Sequence, residues 1–123
     1  MVTIQRFEDL ECWQEARRLV NIVYDLTRLP AFSQDTVLQR QMRRSAVSVM
    51  ANIAEGFHRN SNRDFIKFLN YVRSSLAETL SHAYIGLDQG YAGDNEFKTF
   101  QVQSEIVWKQ INGFVSYLNR CGQ

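Results

Sequence analysis

Apolar positions along this chain recur at alternating steps of four and three residues. One series runs Phe65, Leu69, Val72, Leu76, Thr79 and Ala83, and another Phe100, Ser104, Val107, Ile111, Phe114 and Leu118. A third runs Leu38, Met42, Ser45, Val49, Asn52 and Gly56. The period is nearer ~3.5 than ~3.6 residues, the seam of helices packed in a left-handed bundle. Three stretches interrupt it. "RLPAFS" (28–33) holds the sole proline, which ends a helix at or before Leu29. "GFHRNSN" (56–62) and "GYAGDN" (90–95) carry glycine with turn-forming residues, and Asp94 is placed to cap the helix that follows. The four segments between them, about 9–29, 34–58, 62–89 and 94–120, would each span roughly 30–40 Å as helices. No strand alternation competes. Short connections make neighbours antiparallel, so the pattern predicts an all-α, up-down-up-down antiparallel four-helix bundle with left-handed packing, one domain over residues 1–123.

Two helices carry more apolar surface than one core-facing stripe needs. The first has Trp13, Ala16, Val20, Val23 and Tyr24 inward, and also Leu19, Ile22, Leu26 and Leu29. Its apolar arc is roughly 200°, against the ~100° that a single stripe requires. The second adds Ala46, Met50, Ile53 and Phe57, flanked by Val47 and Ala54. Stripes of that size mark interfaces. The expectation is a homo-oligomer joined through Leu19, Ile22, Leu26, Val47, Met50, Ala54 and Phe57; the alternative is a first helix set deep in its own bundle. The stretch "RRSAVSVMANIAEGFH" (43–58) places an amide, Asn52, and a carboxylate, Glu55, in this apolar run. Ser45, Ser48, Ala51 and Gly56 are small enough to admit a neighbouring helix. A buried amide left unpaired costs about 1–3 kcal/mol, so Asn52 and Glu55 are expected to fix helix register.

Composition adds little to this picture and charge adds more. The 123 residues are 45% apolar and 22% charged, enough for one core. No apolar run approaches a membrane span and no secretory leader is legible, which leads us to expect a cytoplasmic protein with no membrane partner. Cys12 and Cys121 stand in no metal or redox spacing, and free thiols are expected. The net charge is +1, but residues 31–64 carry five arginines against three acids, the only basic surplus in the chain. Arg40, Arg43, Arg44, Arg59 and Arg63, with His58 and Lys67 nearby, are the candidates for phosphate contact, since guanidinium groups bind phosphate oxygens bidentately. Against them stands the plainer reading that they pair with Asp35, Glu55, Asp64 and Glu78 or coat a solvated surface. Strong non-specific nucleic-acid binders are more basic than this chain.

Catalytic chemistry finds little support. Glu55 and His58 fit half of the Glu-x-x-His pattern of di-iron bundles. The other half is missing, because Glu78 and His82 are four residues apart rather than three, and Glu15 and Glu105 would have to complete the set. There is no nucleophile elbow, phosphate loop or dinucleotide fingerprint. No catalytic residue, metal or cofactor is expected.

"FEDLECWQEARRLVNIVYDLT" and "LQRQMRRSAVSVMANIAEGFHRNSNRDFIKFLNYVRSSLAETLSHAYIGLDQGY" resemble the four-helix-bundle family of 23S ribosomal RNA intervening-sequence proteins. Phe7, Leu10, Trp13 and Tyr24 fit the first helix of that family. Gln41, Arg44, Ser48, Asn52, Ile53, Ala54, Glu55 and Gly56 fit the core of the second, Arg59 and Ser61 the turn, and Phe65, Phe68, Ser75 and Glu78 the third. The likeness spans about residues 7–91. Departures are Ser45 in place of the usual alanine, and Met50 where proline is frequent, which implies a straighter second helix. The resemblance implies a ring of bundles, typically pentameric, with no enzymatic activity. A related bundle protein, the accessory factor of diversity-generating retroelements, binds nucleic acid and a reverse transcriptase. These readings lead us to expect a non-catalytic binding protein for structured RNA or other nucleic acid. The rival is a scaffold that docks a protein partner, and a metal-dependent oxidoreductase using Glu55 and His58 is the third reading.

Overall fold

The computed structural model describes residues 4–121, so residues 1–3 and 122–123 of the expected domain lie outside it. A 3-10 turn, Phe7–Asp9, leads into α1 (Glu11–Thr27), followed by α2 (Pro30–Gln34), α3 (Thr36–Phe57), α4 (Asn62–Asp88) and α5 (Asp94–Arg120). The long helices α1, α3, α4 and α5 pack in cyclic order, each on its neighbour in sequence, and α5 closes back on α1. Short connections reverse the chain at each corner, which gives the up-down-up-down bundle that the hydrophobic seams predict. No helix among the described residues is long and apolar enough to cross a membrane.

Local chemistry sets the helix ends. Asp35 accepts the backbone N–H of Leu38 at 3.1 Å and caps α3, while Ser61 accepts that of Asp64 at 3.1 Å and caps α4. At the end of α4, Gly90 takes φ 75°, a left-handed conformation that glycine enters without steric cost. There the N–H of Tyr91 returns to the Gly86 carbonyl and that of Gly90 to Leu87, which satisfies carbonyls the helix leaves open. Between the caps, the seam residues form the core: Leu69, Val72, Met42, Val49, Phe100, Val107 and Ile111 are fully buried. Asp94 lies inside α5 rather than capping it, since the cap position belongs to Gly93.

The proline stretch does more than break the chain. Pro30 occupies the first turn of the five-residue α2, where its missing N–H costs nothing. That turn drives Phe32 into the bundle end, fully buried, with its ring 5.5 Å from that of Tyr91. Gly86 is where α4 passes under this ring: a Cβ added there would lie 2.7 Å from Phe32 Cε2. Tyr91 in turn donates its hydroxyl to Asp35 at 3.1 Å, and the adjacent carboxylate holds the phenol above its ordinary pKa.

The apolar excess of α1 is used inside the chain. Leu19 and Leu26, expected at an oligomer interface, are buried in the core of their own bundle, which corrects that assignment. Ile22, Met50 and Phe57 are half-buried and packed on the same core. The reason is geometric. α1 lies between α3 and α5 and must bury a stripe against each, while the 3-10 turn and α2 each pack on both α1 and α3. Of the seven predicted interface residues, Val47 alone is more than a third exposed, at 43%, and Ala54, two turns on, is half-buried. Cys12 and Cys121 are free thiols; Cys12 is buried, and burial pushes its pKa up to about 12.

Candidate nucleic-acid interface

The helix pair with the most extensive contact, α3 with α4, is joined by a polar ladder that runs along its seam. Ser48 Oγ meets Ser75 Oγ at 2.9 Å, and Asn52 Nδ2 donates to both the Ser48 hydroxyl and carbonyl at 2.9 Å. One turn pair away, Thr79 Oγ1 lies 2.7 Å from both Ser45 Oγ and the Ser75 carbonyl, with Ser45 donating to Met42. His82 Nδ1 closes the ladder 3.5 Å from Ser45 Oγ. The register is therefore held across the helices by Ser48–Ser75 and Ser45–Thr79. Asn52 orients Ser48 from within its own helix. Each such bond contributes a net ~0.5–1.5 kcal/mol.

Glu55 departs from the expectation. Its side chain is 62% exposed and faces only Arg59, at 3.7 Å, an ion pair worth about 0–1 kcal/mol at such exposure. Register is not its task. Gly56, one residue on, is buried because α4 comes closest there: a Cβ would lie 2.8 Å from both Phe65 Cδ1 and Phe68 Cβ. Phe68 is thereby fixed against α3, and the Arg59 guanidinium lies over its ring with 4.4 Å to the centroid. Tyr71 packs against the same ring at 5.4 Å with the planes at 78°, and remains 44% exposed. Arg63, Lys67 and Tyr71 recur every fourth residue of α4, which places them along one exposed strip about 12 Å long. Arg59, Arg63 and Lys67 are all exposed, with Glu55 and Asp64 as the exposed acids beside them.

The five predicted phosphate-binding arginines do not come together. Arg59 and Arg63 share the α3–α4 end, whereas Arg40 and Arg44 stand exposed on α3, with Arg44 about 22 Å from Arg59 along the axis. Arg43 is engaged elsewhere. Its Nε donates to the buried Thr27 hydroxyl at 2.8 Å, and its guanidinium lies 4.4 Å from the centroid of Tyr24. Gln39 completes this clasp on the end of α1 by donating to the Thr27 carbonyl at 2.9 Å. Arg43→Ala is expected to cost roughly 1–3 kcal/mol in urea denaturation, because it removes a charged hydrogen bond and a cation–π contact together.

The carboxylates considered for a di-iron set are dispersed. Glu15 accepts the Gln103 amide at 2.9 Å and pairs with Arg18, bonds that hold its carboxyl below the usual range. Glu105 faces Lys109 at 3.4 Å, and His58 packs edge-on to Phe7 and Phe57. Among the described residues no three His, Cys, Asp or Glu side chains gather as a metal ion would require.

Sequence reading placed the exposed apolar surface on the first two long helices; Val37 and Val47 on α3 are exposed, but most of it lies on the last two. Tyr71, Tyr84, Ile85, Val102, Ile106, Trp108 and Tyr117 are all exposed on α4 and α5. Between these helices runs a groove of about 320 Å³ with Leu76, Ala77, Leu80 and Trp108 along its walls and Ser104 and Glu105 at its polar side. Tyr71 and Lys67 complete the strip that the predicted arginines only begin. Their signal was legible as the spacing Arg63–Lys67–Tyr71, which reads as an ordinary solvated face until Phe68 is placed beside it.

Fold and site together define an all-helical four-helix bundle with a basic and aromatic edge. The chain belongs to the family of 23S rRNA-intervening sequence proteins, which matches it over residues 8–113. A search of curated proteins gives no match. A crystal structure of a protein of unknown function from the S23 ribosomal protein family of Bacteroides thetaiotaomicron VPI-5482 has the same fold, with a TM-score of 0.77. It shares 23% sequence identity, and the alignment covers 85% of this chain and 97% of that one.

Proposed function

We propose that this protein is a non-catalytic, self-associating binding protein that contacts structured RNA through the α3–α4 end of the bundle. The observation that carries this reading is the fixed guanidinium of Arg59, laid on Phe68 beside exposed Arg63 and Lys67. A guanidinium held over an aromatic ring is already partly ordered, so less side-chain freedom is lost when a phosphate arrives. The family's description refers to 23S rRNA, which supports RNA as the ligand class of this reading.

The test is binding of the purified protein to a labelled structured RNA over a salt series, with oligomeric mass followed by light scattering in the same buffers. Replacing Arg59 and Arg63 together by alanine should weaken binding and reduce the slope of log affinity against log salt by about 1.4–1.8, two phosphate contacts' worth. The pair Arg40 and Arg44, on a separate surface, should tolerate the same change. An unchanged slope in the Arg59/Arg63 variant removes them from the interface, and a monomeric mass removes self-association.

The second reading, a scaffold for a protein partner, is favoured by the apolar α4–α5 groove around Leu80 and Trp108. An intact oligomer with no RNA binding at low salt selects it.

A further inference from the structure

We infer that the same edge takes an unpaired nucleotide, with its base stacked on the ring of Tyr71; this rests on the RNA reading above and names the class of RNA. Tyr71 is 44% exposed and is no part of the core. It is nonetheless held. Phe68 meets it at 78°, and Phe68 is itself pressed by α3 at Gly56, where 2.8 Å would separate a Cβ from Phe68 Cβ. An edge-on neighbour fixes a ring without covering both of its faces, and with Tyr71 44% exposed this leaves π surface on which a base can stack.

Three cations lead up to that surface. Arg63 and Lys67 precede Tyr71 on one strip of α4, and Arg59 lies over the ring of Phe68 that Tyr71 packs against. A strip about 12 Å long bearing cations and then an aromatic face matches a short run of single strand, whose backbone follows the charges while a base turns onto the ring. A paired helix cannot use the ring in this way, because its bases are already stacked inside the duplex. The strip therefore discriminates: phosphates are bound in either form of RNA, but the tyrosine contributes only where a base is free.

The experiment compares two labelled single strands of equal phosphate count, one with bases and one with abasic sugars, against the full-length protein. Tyr71→Ala should weaken binding of the base-bearing strand by roughly 5- to 150-fold, the range for losing one stacked base. It should leave the abasic strand and the salt slope unchanged. Tyr71→Phe, which keeps the ring and drops the hydroxyl, should bind within about twofold of the parent if stacking is the interaction. Equal losses on both strands, a Tyr71→Phe variant as weak as Tyr71→Ala, or no loss in Tyr71→Ala would each overturn the inference. The Arg59/Arg63 variant, run alongside, separates the two failures: if it loses affinity for both strands while Tyr71→Ala loses none, phosphate binding stands and base stacking falls. If neither variant differs from the parent, both fall. Circular dichroism confirms that the exposed substitution leaves the bundle folded.

Discussion

Phe32→Ala should destabilise the bundle by about 3–5 kcal/mol, the range for emptying a fully buried aromatic site. For a chain of this size that is a fall in melting temperature of roughly 10–20 °C. Phe32 is the one large side chain that α2 sends into the core, and it stops the end of the bundle between Gly86 and Tyr91. The other helices are held by seams that run past this point, so the cavity cannot collapse without moving α4. A partial refill tests the geometry. Gly86→Ala in the Phe32→Ala background should recover stability, whereas in the parent the same change meets the Phe32 ring at 2.7 Å. Additive effects of the two substitutions, or a loss below about 1 kcal/mol for Phe32→Ala, would show that the ring does not plug the bundle.

The second large effect is expected at Gly56. In an open helix, glycine to alanine gains about 1 kcal/mol. Here the added methyl meets Phe65 Cδ1 and Phe68 Cβ at 2.8 Å each. The Phe65 ring can turn away, but Phe68 Cβ is bonded to the α4 backbone, so the helices themselves must separate. Overpacking of that kind costs about 1–3 kcal/mol, which outweighs the propensity gain, and Gly56→Leu should cost more. Because Phe68 carries Arg59 and packs against Tyr71, the RNA reading proposed above expects Gly56→Ala also to lower RNA affinity under conditions where it remains folded. Denaturation and binding measured on the same preparation check both parts; a variant as stable as the parent would show that α3 and α4 can part there freely.

Much of the fold was legible, and particular residues show why some of it was not. The seams through Leu69, Val107 and Met42 could be read because burial repeats with each turn pair. Phe32 could not, since a five-residue helix is too short to show a period. The excess on α1 was real but its destination was ambiguous: an apolar arc records how much surface is covered, not whether α5 or another copy covers it. Leu19 and Leu26 went to α1's own bundle for that reason. The basic set met a similar limit. Arg43 and Arg44 are adjacent in sequence and about 100° apart on the helix, so one is drawn into the Thr27 clasp and the other is left in solvent. Of the small residues read as admitting a close helix, Ser45, Ser48 and Gly56 face α4, whereas Ala51 is exposed. Which helix, and that Glu55 would face outward, depended on the placement of α4.

The serine ladder between α3 and α4 bears on the order in which the molecule assembles. These two helices share the most extensive contact in the protein and are joined by only the residues 58–61. Closing so short a loop costs little chain entropy, so the hairpin can form before either terminus is in place. Hydroxyl pairs that match in one alignment make a slip by a turn unfavourable at that early stage. α1 and α5 then meet a template whose register is already set.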